Sequence, residues 1–369
     1  VSYDGGYCLS NYIRNLCEKG MLSWALQAIY KSNPKGIQLE NSLYWLLRYS
    51  AIKKDLAIGR EVHSFIIRKG LQSNSYIAFH LIRMFAMCDS LLEANQIFSG
   101  LSEADGFAWT AMISAYANMG EEKDALKLYE QMVHSSSVKL GTHVIVATLK
   151  ACSSIASLHH GMMVHTDAIR EGFELDPFVG TMLIGMYACC GCLKEAHKVF
   201  AIMPKGNDDV AFSAMMTAYK AHGNDVESLE VFGLMQNAGI EPNNIVPLVC
   251  AAKACSNLVA MNDGKLIHCI VTEKGAESNI YAGSALIDMY VKCGCIDEAC
   301  NLFDRLPEKN EVTWSSMVSA FAEANDFALA LTYFEGMQKS GIKPNSVTFI
   351  AILSACSRSG MFLKGLEHF

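Results

Sequence analysis

Apolar residues recur along this chain at helical spacing. In residues 280–310, Leu286, Ile287 and Tyr290 form one apolar stripe, and Ile296, Ala299, Leu302 and Phe303 form a second. Gly294 lies between them, where the reversal needs a left-handed backbone. The same slot holds Gly120, Gly191 and Gly223, and also Asp89 and Asn325, residue types that tolerate that conformation next best. No stretch alternates apolar and polar residues as a half-buried strand would.

The helical pattern repeats. Leu149–Cys152, Ala252–Cys255 and Leu353–Cys356 read Leu/Ala-Lys/Ser-Ala-Cys at steps of 103 and 101 residues. Trp109–Met112, Phe212–Met215 and Trp314–Met317 form a second series, with steps of 103 and 102. Leu81–Phe85, Leu183–Tyr187 and Leu286–Tyr290 form a third. The superperiod of about 102 residues divides into units of about 35, 35 and 31. The boundaries fall at 6–39, 40–74, 75–105, 106–141, 142–176, 177–208, 209–244, 245–279, 280–310, 311–345 and a truncated 346–369.

One position in the second helix of every unit is small: Ala25, Gly59, Ala94, Ala125, Gly161, Ala196, Ser228, Gly264, Ala299, Ala330 and Gly365. That is a demand of close helix packing. A two-helix unit with apolar faces on both sides cannot bury itself and must stack on its neighbours. The expected fold is all-α, a right-handed superhelical α-solenoid of two-helix repeats forming one array.

Composition narrows the function. The chain is 51% hydrophobic and 18% charged, which excludes intrinsic disorder. The most apolar stretches, residues 245–252 and 349–356, fall well short of the ~18 residues that a membrane span needs. A net charge of −7 argues against a nonspecific basic nucleic-acid binder. Cys88, Cys190 and Cys293 share one repeat position, and Cys152, Cys255 and Cys356 share another, so packing thiols are expected rather than a metal site. Cys189-Cys190-Gly-Cys192 has no second paired motif to complete a zinc site. His63, His165 and His268 recur at one position about three units apart, as packing or capping residues would. No histidine is followed two residues later by Glu, and no Walker loop or nucleophile elbow occurs, so no catalysis and no cofactor are expected within this chain. The sequence starts at Val1 rather than Met, as a fragment would.

The alternation of unit lengths resembles the pentatricopeptide repeat proteins of the land-plant PLS class. Residues 314–321 with Leu329, Ala330 and Gly341–Asn345 look like a P-type repeat. Val347-Thr-Phe349 with Leu353–Cys356 looks like an L-type repeat, and residues 286–294 with 302–307 look like an S-type repeat. The array then runs P, L, S from unit 6–39 to the truncated L unit 346–369.

The resemblance implies sequence-specific binding of single-stranded organellar RNA, one base per unit. In the family the fifth and last residues of a unit select the base, and the second residue sandwiches it. Carried onto this chain, the pairs are Thr181/Asp208, Ser213/Asn243, Ser284/Asn310 and Ser315/Asn345, with Thr110 facing Gly141. One-residue insertions leave Asn243 or Asn244, and Asn207 or Asp208, as the unit end. The sandwiching residues are Phe178, Val210, Tyr281 and Val312. The implied target for residues 177–345 is 5′-G-A-x-A-A-3′. The fifth/last pairs Ser10/Leu39 and Phe79/Asp105, and the fifth residues Tyr44, Val146 and Ile350, depart from the family's pattern. Taken one unit at a time, Ser213, Ser284 and Ser315 read more readily as helix caps; their recurrence with an Asn at the unit end, seen through the resemblance, favours base selection.

Residues 357–369 look like the terminal L variant that precedes extension domains in editing factors. The expected role is target recognition for C-to-U RNA editing, with editing-complex proteins as further partners, in a mitochondrion or chloroplast and with a slight preference for the mitochondrion. The alternatives are an RNA splicing, stabilisation or processing factor, and a protein-binding solenoid.

Overall fold

The computed structural model describes residues 7–101, 104–135, 139–204 and 209–359. Asp208, Asn207 and Gly365 lie outside the described residues. The chain divides into two compact units, Val1–Cys190 and Gly191–Phe369. Among the described residues the secondary structure is entirely helical.

The first unit holds α1 (Tyr7–Glu18), α2 (Leu22–Ser32), α3 (Ile37–Lys53), α4 (Leu56–Arg68), α5 (Ser75–Met87), α6 (Leu91–Ser99), α7 (Gly106–Asn118), α8 (Glu122–His134), α9 (Thr142–Ser154), α10 (Leu158–Arg170) and α11 (Pro177–Cys189). The second holds α12 (Leu193–Ile202), α13 (Val210–Ala221), α14 (Asp225–Asn237), α15 (Val246–Leu258), α16 (Met261–Glu273), α17 (Ile280–Lys292), α18 (Ile296–Arg305), α19 (Glu311–Glu323), α20 (Phe327–Lys339) and α21 (Ser346–Ser359).

Odd-numbered helices pack on one another in series, α1 to α3 to α5 to α7 to α9 to α11, and again α13 to α15 to α17 to α19 to α21. Within each unit an even-numbered helix fills the space behind its odd neighbours, as α14 does between α13 and α15. The odd helices therefore form a continuous layer within each unit. Their centres are apolar because they are covered on several sides: Leu286, Ile287 and Met289 of α17 have no exposed surface.

The reversal between paired helices is left-handed at the expected residues. Gly294 has φ +77°, and Asp89 and Asn325 have φ +58° and +59°. The same slot is held by Lys54, Ala156 and Val259, at φ +53°, +50° and +54°, which residue type alone does not suggest. Val259 is β-branched and costs the most there. It is held because its N–H bonds the Ser256 carbonyl while the N–H of Ala260 reaches the carbonyl of Cys255.

The small second-helix positions act as sockets. A Cβ added to Gly59, Gly161 or Gly264 would stand 2.5, 2.3 or 2.6 Å from the sulfur of Met84, Met186 or Met289. Each of these methionines is buried on the next odd helix. The thioether fills a hole that only glycine leaves, and the knob-into-socket contact sets the distance between successive helix pairs.

Gly264→Val is expected to cost about 1–3 kcal/mol through overpacking. Met289→Ala empties the socket and costs about 2–5 kcal/mol. Combined, the two changes are expected to cost less than their sum, because the valine then enters space the methionine has left. Urea unfolding of the four proteins measures the coupling; strict additivity would show that the socket does not exist.

Candidate nucleic-acid interface

The last residue of a repeat precedes an odd helix, where four backbone N–H groups lack intrahelical partners. A short acceptor side chain there is drawn into capping. Asn74 Oδ1 accepts from the N–H of Ile77 at 3.1 Å, and Asp176 Oδ1 from Phe178 and Val179 at 3.0 Å each. Asn279 Oδ1 accepts from Tyr281 at 3.0 Å, Asn310 Oδ1 from Thr313 at 2.9 Å, and Asn345 Oδ1 from Thr348 at 2.9 Å. At Asn310 the Thr313 hydroxyl also accepts from the Asn310 N–H, which closes a capping box. The capping bonds orient each amide: the oxygen faces the helix and the nitrogen is left as a donor.

What that nitrogen meets depends on the first residue of the same repeat. Where that residue is acidic, a clasp forms. Asn74 Nδ2 donates to Glu40 at 3.0 Å, Asn244 Nδ2 to Asp209 at 2.9 Å, and Asn345 Nδ2 to Glu311 at 2.6 Å. Asn310 and Asn279 close repeats that begin with Ile280 and Ile245, which offer no carboxylate. This first position is legible in the sequence only as the recurrence of an acid 34 or 35 residues before an asparagine, at Glu40/Asn74, Asp209/Asn244 and Glu311/Asn345.

The residues expected at the fifth position fall into two groups. Thr110 and Thr181 are half-buried, and their hydroxyls donate to the carbonyls of Gly106 at 2.6 Å and Pro177 at 2.7 Å. Ser213 is half-buried, whereas Ser284 and Ser315 are each only 6% exposed, so little more than an edge of either faces solvent. The Ser284 hydroxyl donates to the Ile280 carbonyl and to Asn310 Oδ1, the latter at 3.3 Å. Ser315 meets the Thr348 hydroxyl at 2.9 Å, and Thr348 in turn donates to Asn345 Oδ1 at 2.9 Å. Fifth and last side chains are thus brought together directly at 284/310 and through Thr348 at 315/345.

At Ser213 the partner is Asn244, whose Nδ2 lies 3.4 Å from the hydroxyl. The Asn243 side chain has no such contact; its backbone N–H donates to Asp209 at 2.8 Å. The inserted residue is absorbed before the cap, because Asn244 Oδ1 must reach the N–H of Val246 at 2.8 Å to start α15. Asp208, expected opposite Thr181, lies outside the described residues.

The four expected sandwiching residues are exposed: Phe178 77%, Tyr281 67%, Val312 53% and Val210 45%. Tyr76, Phe107, Val246 and Val347 hold the same second position and are exposed too. A second-position side chain leaves the first turn of an odd helix where no following pair covers it.

Second, fifth and ninth positions line common grooves. Between α5, α7 and α9 a groove of about 790 Å³ is lined by Phe79, Arg83, Thr110, Ser114, Val146 and Lys150, with Phe178 at its rim. In the second unit α19 and α21 form one of about 770 Å³ with Ser319, Val347, Ile350 and Ser354 on its walls.

The ninth position of α17 carries Asp288, which is mostly buried. Burial alone would raise its carboxyl. Hydrogen bonds from Lys253 at 2.7 Å and Ser256 at 2.6 Å, with the charge of Lys292, outweigh that and hold it below the usual value.

The thiols and imidazoles act as packing groups. Burial pushes Cys152 and Cys255 up to about 12, so neither is a nucleophile near neutrality. Cys88, Cys190 and Cys293, expected to be buried, are only half-buried because they sit at the helix end before the turn. His165 and His268 bond the hydroxyls of Tyr187 and Tyr290 at 2.8 Å, and His63 stands edge-on to Phe85.

The comparisons agree with this architecture. The PPR repeat matches residues 107–136, 181–207, 210–240 and 284–311, and the PPR repeat family matches residues 309–358. A pentatricopeptide repeat-containing protein of Arabidopsis thaliana is 33% identical over 314 residues, covering 85% of this chain and 43% of its own. Another from the same plant, named as chloroplastic, is 35% identical over 313 residues, covering 84% of this chain and 58% of its own. The chain thus spans about half the length of such relatives. The crystal structure of the pentatricopeptide repeat protein PPR10 from maize superposes with a TM-score of 0.67 at 13% identity, covering 99% of this chain and 58% of PPR10. PPR10 in complex with an 18-nt psaJ RNA element gives a TM-score of 0.62 at 16% identity. The shared fold is a helical repeat solenoid.

Two outcomes follow for the caps and the buried carboxylate. Asn310→Ala is expected to lower stability by about 1 kcal/mol, whereas Asn310→Asp keeps the acceptor and most of that stability; thermal melts without any ligand measure both. The lowered Asp288 carboxyl contributes stability that is present above the ordinary Asp value near ~3.9 and is lost as pH falls through its folded value. Asp288→Asn is expected to flatten that acid limb in urea unfolding measured from pH 7 to pH 3. An unchanged acid limb would remove Asp288 from the account.

Proposed function

We propose that this chain, a PPR repeat protein, binds single-stranded RNA along the grooves that its odd-numbered helices line. The observation that carries this reading is the recurrence of one arrangement. An exposed second residue, a fifth-position hydroxyl and a terminal amide stand together at the starts of α13, α17 and α19. An exposed Phe178, Val210, Tyr281 or Val312 offers a face against which an unpaired base can rest. The cap holds each Asn oxygen inward, so the amide nitrogen is a donor suited to the acceptor N1 of adenine. An Asp in that place presents only acceptors, suited to the N–H donors of guanine. The Ser284 hydroxyl reinforces this orientation by donating to Asn310 Oδ1.

On this reading Thr181 with Asp208, Ser213 with Asn244, Ser284 with Asn310 and Ser315 with Asn345 select 5′-G-A-x-A-A-3′ in an organelle. The repeats are assigned to P, L and S types with the boundaries given above. Asn310, free of a carboxylate clasp, selects most strongly. Asn345 selects more weakly, because a base must displace Glu311 from its amide.

The finer reading is target recognition for C-to-U editing. It is favoured by residues 357–369, which look like the terminal L variant, and it assigns the deamination to chemistry outside these residues. Editing of a reporter cytidine downstream of the bound segment, lost when the purines are replaced, tests it. Binding and transcript protection without editing would instead support the stabilisation reading.

RNA binding itself is tested by gel shift. An RNA carrying G-A-x-A-A is expected to bind more tightly than one with those purines changed to pyrimidines. Ser315→Asn is expected to move preference at its base from A toward a pyrimidine. Equal binding of both RNAs would refute the base assignments, and no binding would refute the function.

A further inference from the structure

In the first unit the ninth residue is basic on α3 (Arg48), α5 (Arg83) and α9 (Lys150), whereas α7 carries Ser114 and α11 Gly185, and Arg14 on α1 is taken up by Glu18 at 2.7 Å. Each lies four residues, one helical turn, beyond the fifth residue and so on the same face. Arg83 and Lys150 line the 790 Å³ groove with Phe79, Thr110 and Val146. All three cations are exposed, and among the described residues none pairs with a carboxylate. Arg48 donates to the Tyr44 hydroxyl at 2.9 Å, and Lys150 to Asn118 Oδ1 at 2.8 Å, both neutral partners. The carboxylate at this groove, Asp89, is held by Lys54 at 3.0 Å. The Arg83 charge remains strong enough to act on its neighbour: burial and then Arg83 push His80 down to about 4.

The second unit differs at the same position. Its ninth residues are Thr217, Lys253, Asp288, Ser319 and Ser354, and the one cation is neutralised by Asp288 at 2.7 Å. The fifth residues show a local contrast. On α3, α5 and α9, the helices that carry these cations, they are Tyr44, Phe79 and Val146, with no Ser or Thr hydroxyl and no amide to read a base, whereas α13, α17 and α19 carry Ser213, Ser284 and Ser315. The first unit also exposes Tyr76, Phe107 and Phe178 along this face.

We propose that the groove over α5, α7 and α9, with the adjoining face of α3, is a sequence-tolerant anchor. In it Arg48, Arg83 and Lys150 hold the phosphodiester backbone of single-stranded RNA while the exposed aromatic rings stack its bases. Cations beside sequence-indifferent ring faces are the arrangement for binding a strand without reading it. The protein then divides its work: affinity comes mainly from the face of α3 to α9 and discrimination from the fifth and last residues of the repeats from residue 177 onward. A net charge of −7 does not oppose this, since the cations are local to one groove.

This inference rests on the RNA reading, and the test separates the two. Fluorescence anisotropy with a G-A-x-A-A RNA and with oligouridine of the same length is measured across a salt series. For Arg83→Ala/Lys150→Ala, affinity for both RNAs is expected to fall by the same factor. The slope of log K against log salt is expected to drop by about 1.4, or 0.7 per lost phosphate contact. Arg83→Lys/Lys150→Arg is expected to keep the slope, as is Lys127→Ala on α8, whose ammonium already pairs with Asp124. If wild-type protein binds and the double alanine variant keeps its slope, or weakens only on the G-A-x-A-A RNA, the anchor is refuted while the RNA reading stands. If wild-type protein binds neither RNA, both fall.

Discussion

Each helix pair in this protein is apolar on two opposite faces and can cover neither by itself. Stacking on the next pair is the only way to bury that surface, and every other feature follows from how closely the pairs approach. The approach is set where a second helix offers a glycine and the next odd helix inserts a methionine, as at Gly59 with Met84, Gly161 with Met186 and Gly264 with Met289. A larger residue would widen the step, and a smaller thioether substitute would leave it empty. With the step fixed, the odd helices stand side by side, and fifth and ninth residues, with a second residue such as Phe178 or Val347, line the grooves over α5, α7 and α9 and between α19 and α21.

The groove edge is built from side chains with two tasks. Asn310 begins α19 as its cap and presents an amide nitrogen to the groove; the first task aims the second. A cap costs no extra ordering, because the side chain is already immobilised by the helix it starts. The same economy limits what can vary. An asparagine can become aspartate and still cap, so the residue types suited to discriminating purines are also those a helix start accepts. The first-residue acids add a further control, since Glu40, Asp209 and Glu311 engage the amide that closes their own repeat.

Charge is distributed by the same geometry. The ninth position sits one turn below the fifth on every odd helix, so a cation there projects beside whatever the fifth residue faces. In the second unit Lys253 finds Asp288 on the next helix, and both are neutralised and partly buried. In the first unit the corresponding neighbours of Arg48 and Arg83 are not acidic, so the cations remain available in the groove.

Apolar periodicity determined the two-helix repeat, and the residue types recurring at fixed positions determined the left-handed turns at Gly294, Asp89 and Asn325 and the small packing position. These are local properties: a 3.6-residue period and a residue's backbone tolerance are written in neighbouring letters. The tertiary structure decided what depends on contact between residues 26 to 35 apart. It brought Asn244 rather than Asn243 to Ser213, buried Ser284 and Ser315, closed the clasps on Asn74, Asn244 and Asn345, and paired Lys253 with Asp288 while leaving Arg83, among the described residues, without a carboxylate partner. Spacing names the helix turn a side chain occupies. Only the packed distance between helices decides which partner it can reach, because a hydrogen bond tolerates an error of a few tenths of an ångström where a sequence register is uncertain by a whole residue.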